Sequence, residues 1–300
     1  MKGPVDDASV APRHVPKILG MSLPPRLAAT AAAQGGPFTT AQAIAAGYDG
    51  AEIRRLRESN EWVRLRRGVY VERVVVPDDD EGRHVLQLRA VLLCLKGPIA
   101  ASHFTSAVLH GIALLEPDFS LVHVTRDDSG SARTEGGVRH HVASLPPGQL
   151  TKIDELLATG AARTVIDFAR ESTFEAALVA AESALNKGLT TLRELREVLA
   201  YCADWPGARA AGRVAAFASP YSESAGETMG RIAFDALGLP PPSQQVMFFD
   251  DAGFIARCDY FWEDPLNVID GIGGEAGERP ARGRPRRVSG GRTATRRVAA

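Results

Sequence analysis

Residues 38–71 constrain the fold most: two helix-start signals follow one another there, and the hydrophobic period then changes. Thr39 and Gln42 have capping-box spacing. The hydroxyl can accept the N3 amide while the glutamine reaches back to the cap. Phe38 sits just before the cap, where an apolar side chain helps fix how the chain enters the helix. Gly47 suits the left-handed conformation that ends helices. The grammar then repeats, with Asp49 as cap, Glu52 at N3, and Tyr48 and Ile53 at the spacing of a hydrophobic staple. Two short helices joined by a tight turn make a helix-turn-helix. The second helix is predicted over residues 50–60, with Ile53 and Leu56 inward and Arg54, Arg55 and Arg57 elsewhere. Beyond Asn60 the period becomes two. Val63 and Leu65 share a strand face, Arg66, Arg67 and Gly68 turn, and residues 69–71 return as a β-wing tipped with arginine.

Residues 52–67 hold six Arg against three Glu, a local +3 in a chain of formal net charge -1. A duplex attracts such a patch by counterion release, and a helix in the major groove can set arginines against guanine edges. Double-stranded DNA is therefore the expected partner. Arg54, Arg55 and Arg57 are expected at groove or phosphate, and Arg64, Arg66 and Arg67 at the backbone from the wing. Thr40, at the start of the first helix, is counted with them. The plain alternative is a solvated basic face on a small helical subdomain.

The opening Phe38-Thr39-Thr40-Ala41-Gln42-Ala43 and the run Trp62-Val63-Arg64-Leu65-Arg66-Arg67-Gly68-Val69-Tyr70 resemble the N-terminal winged helix of the AbiEi family of type IV toxin-antitoxin antitoxins. The resemblance implies binding to operator DNA of the chain's own operon, autorepression, and a cognate nucleotidyltransferase-like toxin as partner.

A chain of 300 residues suggests two or three domains. Cys94, Cys202 and Cys258 lie far apart and give neither a metal-ligand pair nor a disulfide framework, which fits a reducing cytoplasm. No apolar run reaches the roughly 18 residues that span a bilayer, so no membrane partner is expected. The first 20 residues mix Asp6 and Asp7 with Lys2, Arg13 and Lys17, unlike a signal peptide, and residues 1–21 read as a flexible tail.

Pro24 and Pro25 suit a first helical turn, and an alanine-rich helix then runs to Gly35-Gly36. It completes a winged helix-turn-helix domain over 22–76. The acidic run 77–82 reads as an exposed linker. A middle domain over 83–215 is expected to be α+β. Helices are predicted at 84–95, 99–114, 162–170, 174–186 and 192–202, and strands at 120–125 and 138–143. His103 and His110 are seven apart, and the adjacent His140 and His141 point to opposite sides of a strand. No histidine pair has metal-ligand spacing, so ordinary core or surface histidines are expected. Ser102 and Ser106 lack the strained GxSxG elbow of a hydrolase. His103, Ser106, Gly111 and the run 163–167 resemble the central region of actinobacterial AbiEi-like proteins, from which no activity follows.

Residues 219–270 read as helix, hairpin and strand. The helix covers 223–237, the hairpin strands 245–249 and 254–262, and the third strand 266–269. With Glu227 on the helix, Gln245 on the first strand and Asp259 on the second, this resembles the start of a PD-(D/E)XK nuclease core of the very-short-patch-repair-like kind. The resemblance implies Glu227 and Asp259 as catalytic residues and as ligands of a divalent cation such as Mg, which activates water and neutralises the scissile phosphate. The family's third strand carries an acidic residue, a spacer and a lysine. Residues 267–274 hold no lysine, none follows Lys187, and the elements that complete the core are missing. An inactive, truncated αβββ remnant is the expectation, and a metal-dependent DNA endonuclease the alternative. Residues 271–300 carry eight Arg, two Glu and seven Gly, a net +6 without an aromatic residue, and are expected to be a disordered basic tail. A frameshift near codon 270 would give the same composition.

Overall fold

The computed structural model describes residues 23–263, apart from 129 and 252. The expected tail at 1–21, the third C-terminal strand at 266–269 and the basic segment 271–300 lie outside the described residues. The architecture is mixed α+β, as expected, and no described helix is long and apolar enough to cross a membrane. The chain forms two compact units. The first takes in the chain up to Val108, Asp118–Pro146 and Lys152–Ala158, and the second takes in Leu109–Pro117, Pro147–Thr151 and the chain from Thr159. The stretch 83–215 thus contributes to both.

The first unit opens with α1 (Pro25–Ala33), β1 (Phe38–Thr39), α2 (Thr40–Ala45), α3 (Gly50–Glu58), β2 (Trp62–Arg66) and β3 (Val69–Glu72). Helices of six and nine residues are too short to hold themselves in water, so their ends must be satisfied locally. Both capping boxes form. Gln42 N donates to Thr39 Oγ1 at 3.2 Å and Thr39 N to Gln42 Oε1 at 2.7 Å. Glu52 N donates to Asp49 Oδ1 at 2.8 Å and Asp49 N to Glu52 Oε2 at 2.9 Å. The strands pair antiparallel in the order β1-β3-β2. Leu27, Phe38, Ile53, Leu56, Trp62 and Tyr70 form the core under the three helices. Trp62 meets Phe38 edge-on at 4.7 Å and Tyr48 at 4.8 Å between ring centroids.

The acidic run is not a linker. It starts α4 (Asp80–Leu92): Asp79 Oδ1 accepts from Gly82 N at 2.6 Å, and Asp80 and Glu81 stand in the first turn. Carboxylates there oppose the positive end of the helix dipole. A six-stranded sheet follows, from β4 (Ile99–Ala101), β5 (Val122–Arg126), β6 (Arg133–Glu135), β7 (Val138–Val142), β8 (Leu150–Ile153) and β9 (Leu156–Thr159), in the order β6-β7-β5-β4-β9-β8. The helix predicted at 99–114 is therefore shorter. Ile99, Ala100 and Ala101 form a buried inner strand, and only α5 (His103–His110) is helical. Burial of small residues between two neighbouring strands overrides the helix propensity of alanine.

The second unit holds α6 (Ala161–Ala169), α7 (Phe174–Asn186), α8 (Leu192–Tyr201), α9 (Ala208–Phe217), α10 (Ala225–Ala236) and the hairpin β10 (Ser243–Asp250) with β11 (Gly253–Phe261). Helix α9 was not anticipated from the periodicity. It begins after Gly207, whose φ is +83° and where a Cβ would stand 2.2 Å from the Arg170 carbonyl oxygen, so only glycine fits. Helix α7 is buried through most of its length and carries Glu182, which has no exposed surface. Its carboxylate accepts from Ser219 N at 2.9 Å and Thr228 Oγ1 at 2.7 Å, and pairs with Arg231. Glu182 thereby fastens α10 to α7. In the first unit, Trp62→Ala is expected to lower stability by about 3–5 kcal/mol, because it leaves a void among three aromatic rings. Denaturant unfolding of the full chain, followed by amide exchange in β2 and β3, measures this. A loss under about 1 kcal/mol would show that the cluster is not the core.

Candidate functional site

Helix α3 buries Ile53 and Leu56 and leaves Arg54, Arg55 and Arg57 exposed. Arg55 approaches Glu61 at 3.5 Å, but both side chains are more than half exposed, so water screens the pair. Among the described residues, Arg54, Arg57, Arg64 and Arg67 make no ion pair. The β2–β3 tip is Arg67-Gly68, with Gly68 at φ +76°. Thr40 ties this tip to the start of α2: its amide donates to the Gly68 carbonyl at 2.8 Å and its hydroxyl at 3.2 Å. Arg64 pairs with Tyr70 and Arg66 with Val69, so the ladder carries a bulge at Leu65. Neighbouring residues of β3 face opposite ways, which puts Arg64 and Arg66 on opposite faces of the hairpin. Arg64 is exposed, while the half-buried Arg66 lines a hollow of about 510 Å³ with Arg67, Gln87, Phe119 and Gly136.

In the second unit the three residues singled out near the C-terminus meet. Glu227 is at N3 of α10, where its Oε1 accepts from Ser224 Oγ and its Oε2 from Glu223 N, both at 3.0 Å. Gln245 Nε2 donates to Glu227 Oε2 at 3.0 Å and to Asp259 Oδ1 at 3.3 Å. Gln245 adopts φ +53°, and its Oε1 is buried without a hydrogen-bond partner. The Tyr260 hydroxyl donates to the Glu227 carbonyl at 2.5 Å. Burial, then the charges of Glu227 and Asp259, push this phenol up to about 12, so it stays a donor. Two carboxylates that share one amide donor are oxygen ligands of the kind that hold Mg²⁺ together with water. The third-strand positions lie outside the described residues.

The histidines do not stay scattered as their spacing suggests. The pairing of β5 with β7 is parallel, with His123 opposite Arg139 and Thr125 opposite His141. His123 and His141 thus share one face, and His123 Nδ1 lies 3.1 Å from His141 Nε2. His103, at the start of α5, stacks on His141 with ring centroids 3.6 Å apart. Burial first, then Arg139 and His84, lower the His123 pKa to about 4, which keeps this imidazole neutral. His140 faces the other way, where Arg133 and Arg126 add to the effect of burial in lowering its pKa.

Residues 25–73 match the family described as "Transcriptional regulator, AbiEi antitoxin". The match runs from α1 through β3 and stops short of the carboxylates and the histidines. Among solved structures, the chain is similar to the RV2827C protein from Mycobacterium tuberculosis. That likeness has 13% identity and a TM-score of 0.44, and covers 63% of this chain and 74% of that one. No curated protein matches the chain.

The run 163–167 holds an ion pair to which the sequence reading gave no role. Arg163 and Asp167, one helical turn apart on α6, pair at 2.6 Å with almost no exposed surface, and Arg163 lies 4.6 Å over the Trp205 ring. Burial raises the Asp167 pKa against the pull of Arg163 and Arg170. The pair is a structural brace of the second unit. In the first unit, Thr40→Val removes one hydroxyl bond to the hairpin tip. It is expected to cost about 1 kcal/mol and to speed amide exchange at Arg67 and Gly68. Exchange there as slow as in the parent chain would mean the tip holds its place without Thr40.

Proposed function

We propose that residues 22–76 are a winged helix-turn-helix that binds double-stranded DNA. On this reading the chain is an antitoxin and transcriptional autorepressor of the type IV, AbiEi kind. One observation carries it: on a scaffold fixed by two capping boxes and an aromatic core, Arg54, Arg57, Arg64 and Arg67 point to solvent with no ion pair among the described residues. A row of exposed guanidinium groups without carboxylates to meet them is matched by a polyanion. Helix α3 would enter the major groove, with Arg54, Arg55 and Arg57 at base edges or phosphates. Arg64, Arg66 and Arg67 would hold the backbone from the hairpin, and Thr40 would hold the hairpin in place. The antitoxin match over residues 25–73 supports the regulatory role and a toxin as partner. The nucleotidyltransferase-like character of that toxin is an implication of the resemblance.

Arg54→Ala with Arg57→Ala is expected to weaken binding to the chain's own promoter about 10-fold to 100-fold, and to lower the slope of log affinity against log salt by about 2. Both side chains are exposed, so the circular dichroism should not change. Gel shifts at several salt concentrations measure this, and an unchanged affinity would remove α3 from the interface.

A second reading rests on the meeting of Glu227, Gln245 and Asp259. In a metal-dependent endonuclease, Glu227 and Asp259 would hold a divalent cation that neutralises the scissile phosphate and acidifies water. Gln245 would keep the two carboxylates at their spacing, and the neutral Tyr260 hydroxyl would fix the backbone of α10. Nicking of supercoiled plasmid in Mg²⁺, abolished by Asp259→Ala, would establish this reading. Absence of nicking by the parent chain would leave the region as an inactive remnant.

A further inference from the structure

We propose that His103, His123 and His141 form a binding site for a first-row transition-metal dication of the zinc class. The site is separate from the carboxylate pair and uses no residue of the DNA-facing surface. One potential ligand nitrogen from each histidine lies within 4.8 Å of the others. His123 Nδ1 and His141 Nε2 are 3.1 Å apart, close to the roughly 3.3 Å between two ligand nitrogens on a tetrahedral zinc with bonds of about 2.0 Å. In the metal-free protein that contact needs a proton on one of the two nitrogens. A dication takes the place of that proton and binds both lone pairs. His103 lies against His141 in a parallel stack, and a tilt of its ring that keeps Nδ1 near Ser102 would aim Nε2 at the ion.

The surroundings support the same assignment. His103 Nδ1 is 3.0 Å from Ser102 Oγ, which accepts from Thr125 Oγ1 at 2.7 Å. With Nδ1–H donating to Ser102, Nε2 of His103 keeps the lone pair that a metal needs, an outer-shell arrangement common around metal-bound histidine. His123 is held from behind by its own amide, which donates to Thr105 Oγ1 at 2.8 Å. His103 is a non-glycine residue at φ +51°, and backbone strain of this kind concentrates at functional positions. An all-imidazole set selects zinc, cobalt, nickel or copper over magnesium or calcium, and three protein ligands leave a fourth position for water.

The test uses the full, untagged chain after chelator treatment and dialysis. Cobalt(II) is titrated in, and zinc then competes with it. The expected result is one equivalent of cobalt with the intense visible bands of a four- or five-coordinate ion, displaced by zinc and untouched by millimolar Mg²⁺. Of the seven histidines, His103, His123 and His141 should be the ones whose imidazole NMR signals shift with zinc. His123→Ala and His141→Ala should each weaken cobalt binding by about 100-fold or more, whereas His110→Ala, in the second unit, should not change it. The NMR readout on the parent chain decides the matter even where a variant fails to fold. No bands, bands that survive both substitutions, or zinc shifts confined to other histidines would each overturn the proposal.

Discussion

Trp62 is the side chain on which the N-terminal unit turns. Two helices of six and nine residues cannot fix the position of a hairpin by themselves, however well their ends are capped. The indole does so by meeting Phe38 ahead of α2, Tyr48 ahead of α3 and Tyr70 on the facing strand. The two edge-on pairs, with Phe38 and Tyr48, add about 0.5–1.5 kcal/mol each beyond the area they bury. With Trp62 pointing in, Arg64, two residues along the same strand, reaches the rim of the sheet and comes out into solvent. The outward display of arginine is thus a by-product of an inward aromatic anchor.

The second unit depends on a different force. Glu182 sits on the buried side of α7 among alanine, leucine and valine, where an unpartnered carboxylate would be very costly. Three donors from the chain beyond it offset that cost, and two of them, Thr228 and Arg231, lie on α10. Arg231 also donates to the Phe217 carbonyl at 2.8 Å, which ties in the end of α9. The position of Glu227 over the hairpin therefore depends on a buried charge on α7. Removing one partner of such a pair strands the other, so the carboxylate cluster stands or falls with the helices behind it.

What the sequence made legible was whatever is encoded within a few residues. Thr39 with Gln42, Asp49 with Glu52, and the switch from period 3.6 to period 2 after Asn60 all describe neighbours, and all are present as read. The convergence of Glu227, Gln245 and Asp259 came from a resemblance rather than from spacing. The aspartates before α4 misled because acidic runs serve equally as linkers and as helix caps, and only the helix that follows distinguishes them. Residues 99–101 misled because alanine fits any element, and a place between β5 and β9 made them a strand. His103, His123 and His141 could not be found at all. They lie 20 and 18 residues apart, and the parallel register of β5 with β7, which no local pattern announces, brings the last two together.

The unpaired Leu65 has one more effect. It turns Arg64 and Arg66 to opposite sides, so one guanidinium reaches solvent while the other is half-buried in the hollow beside Gln87 and Phe119. All four residues of β3 are buried, so the hairpin has no bare face, and only the Arg64 edge and the Arg67 tip are open to a partner. Without the bulge the two arginines would share one face; with it, the hairpin turns one charge outward and keeps the other against its own unit.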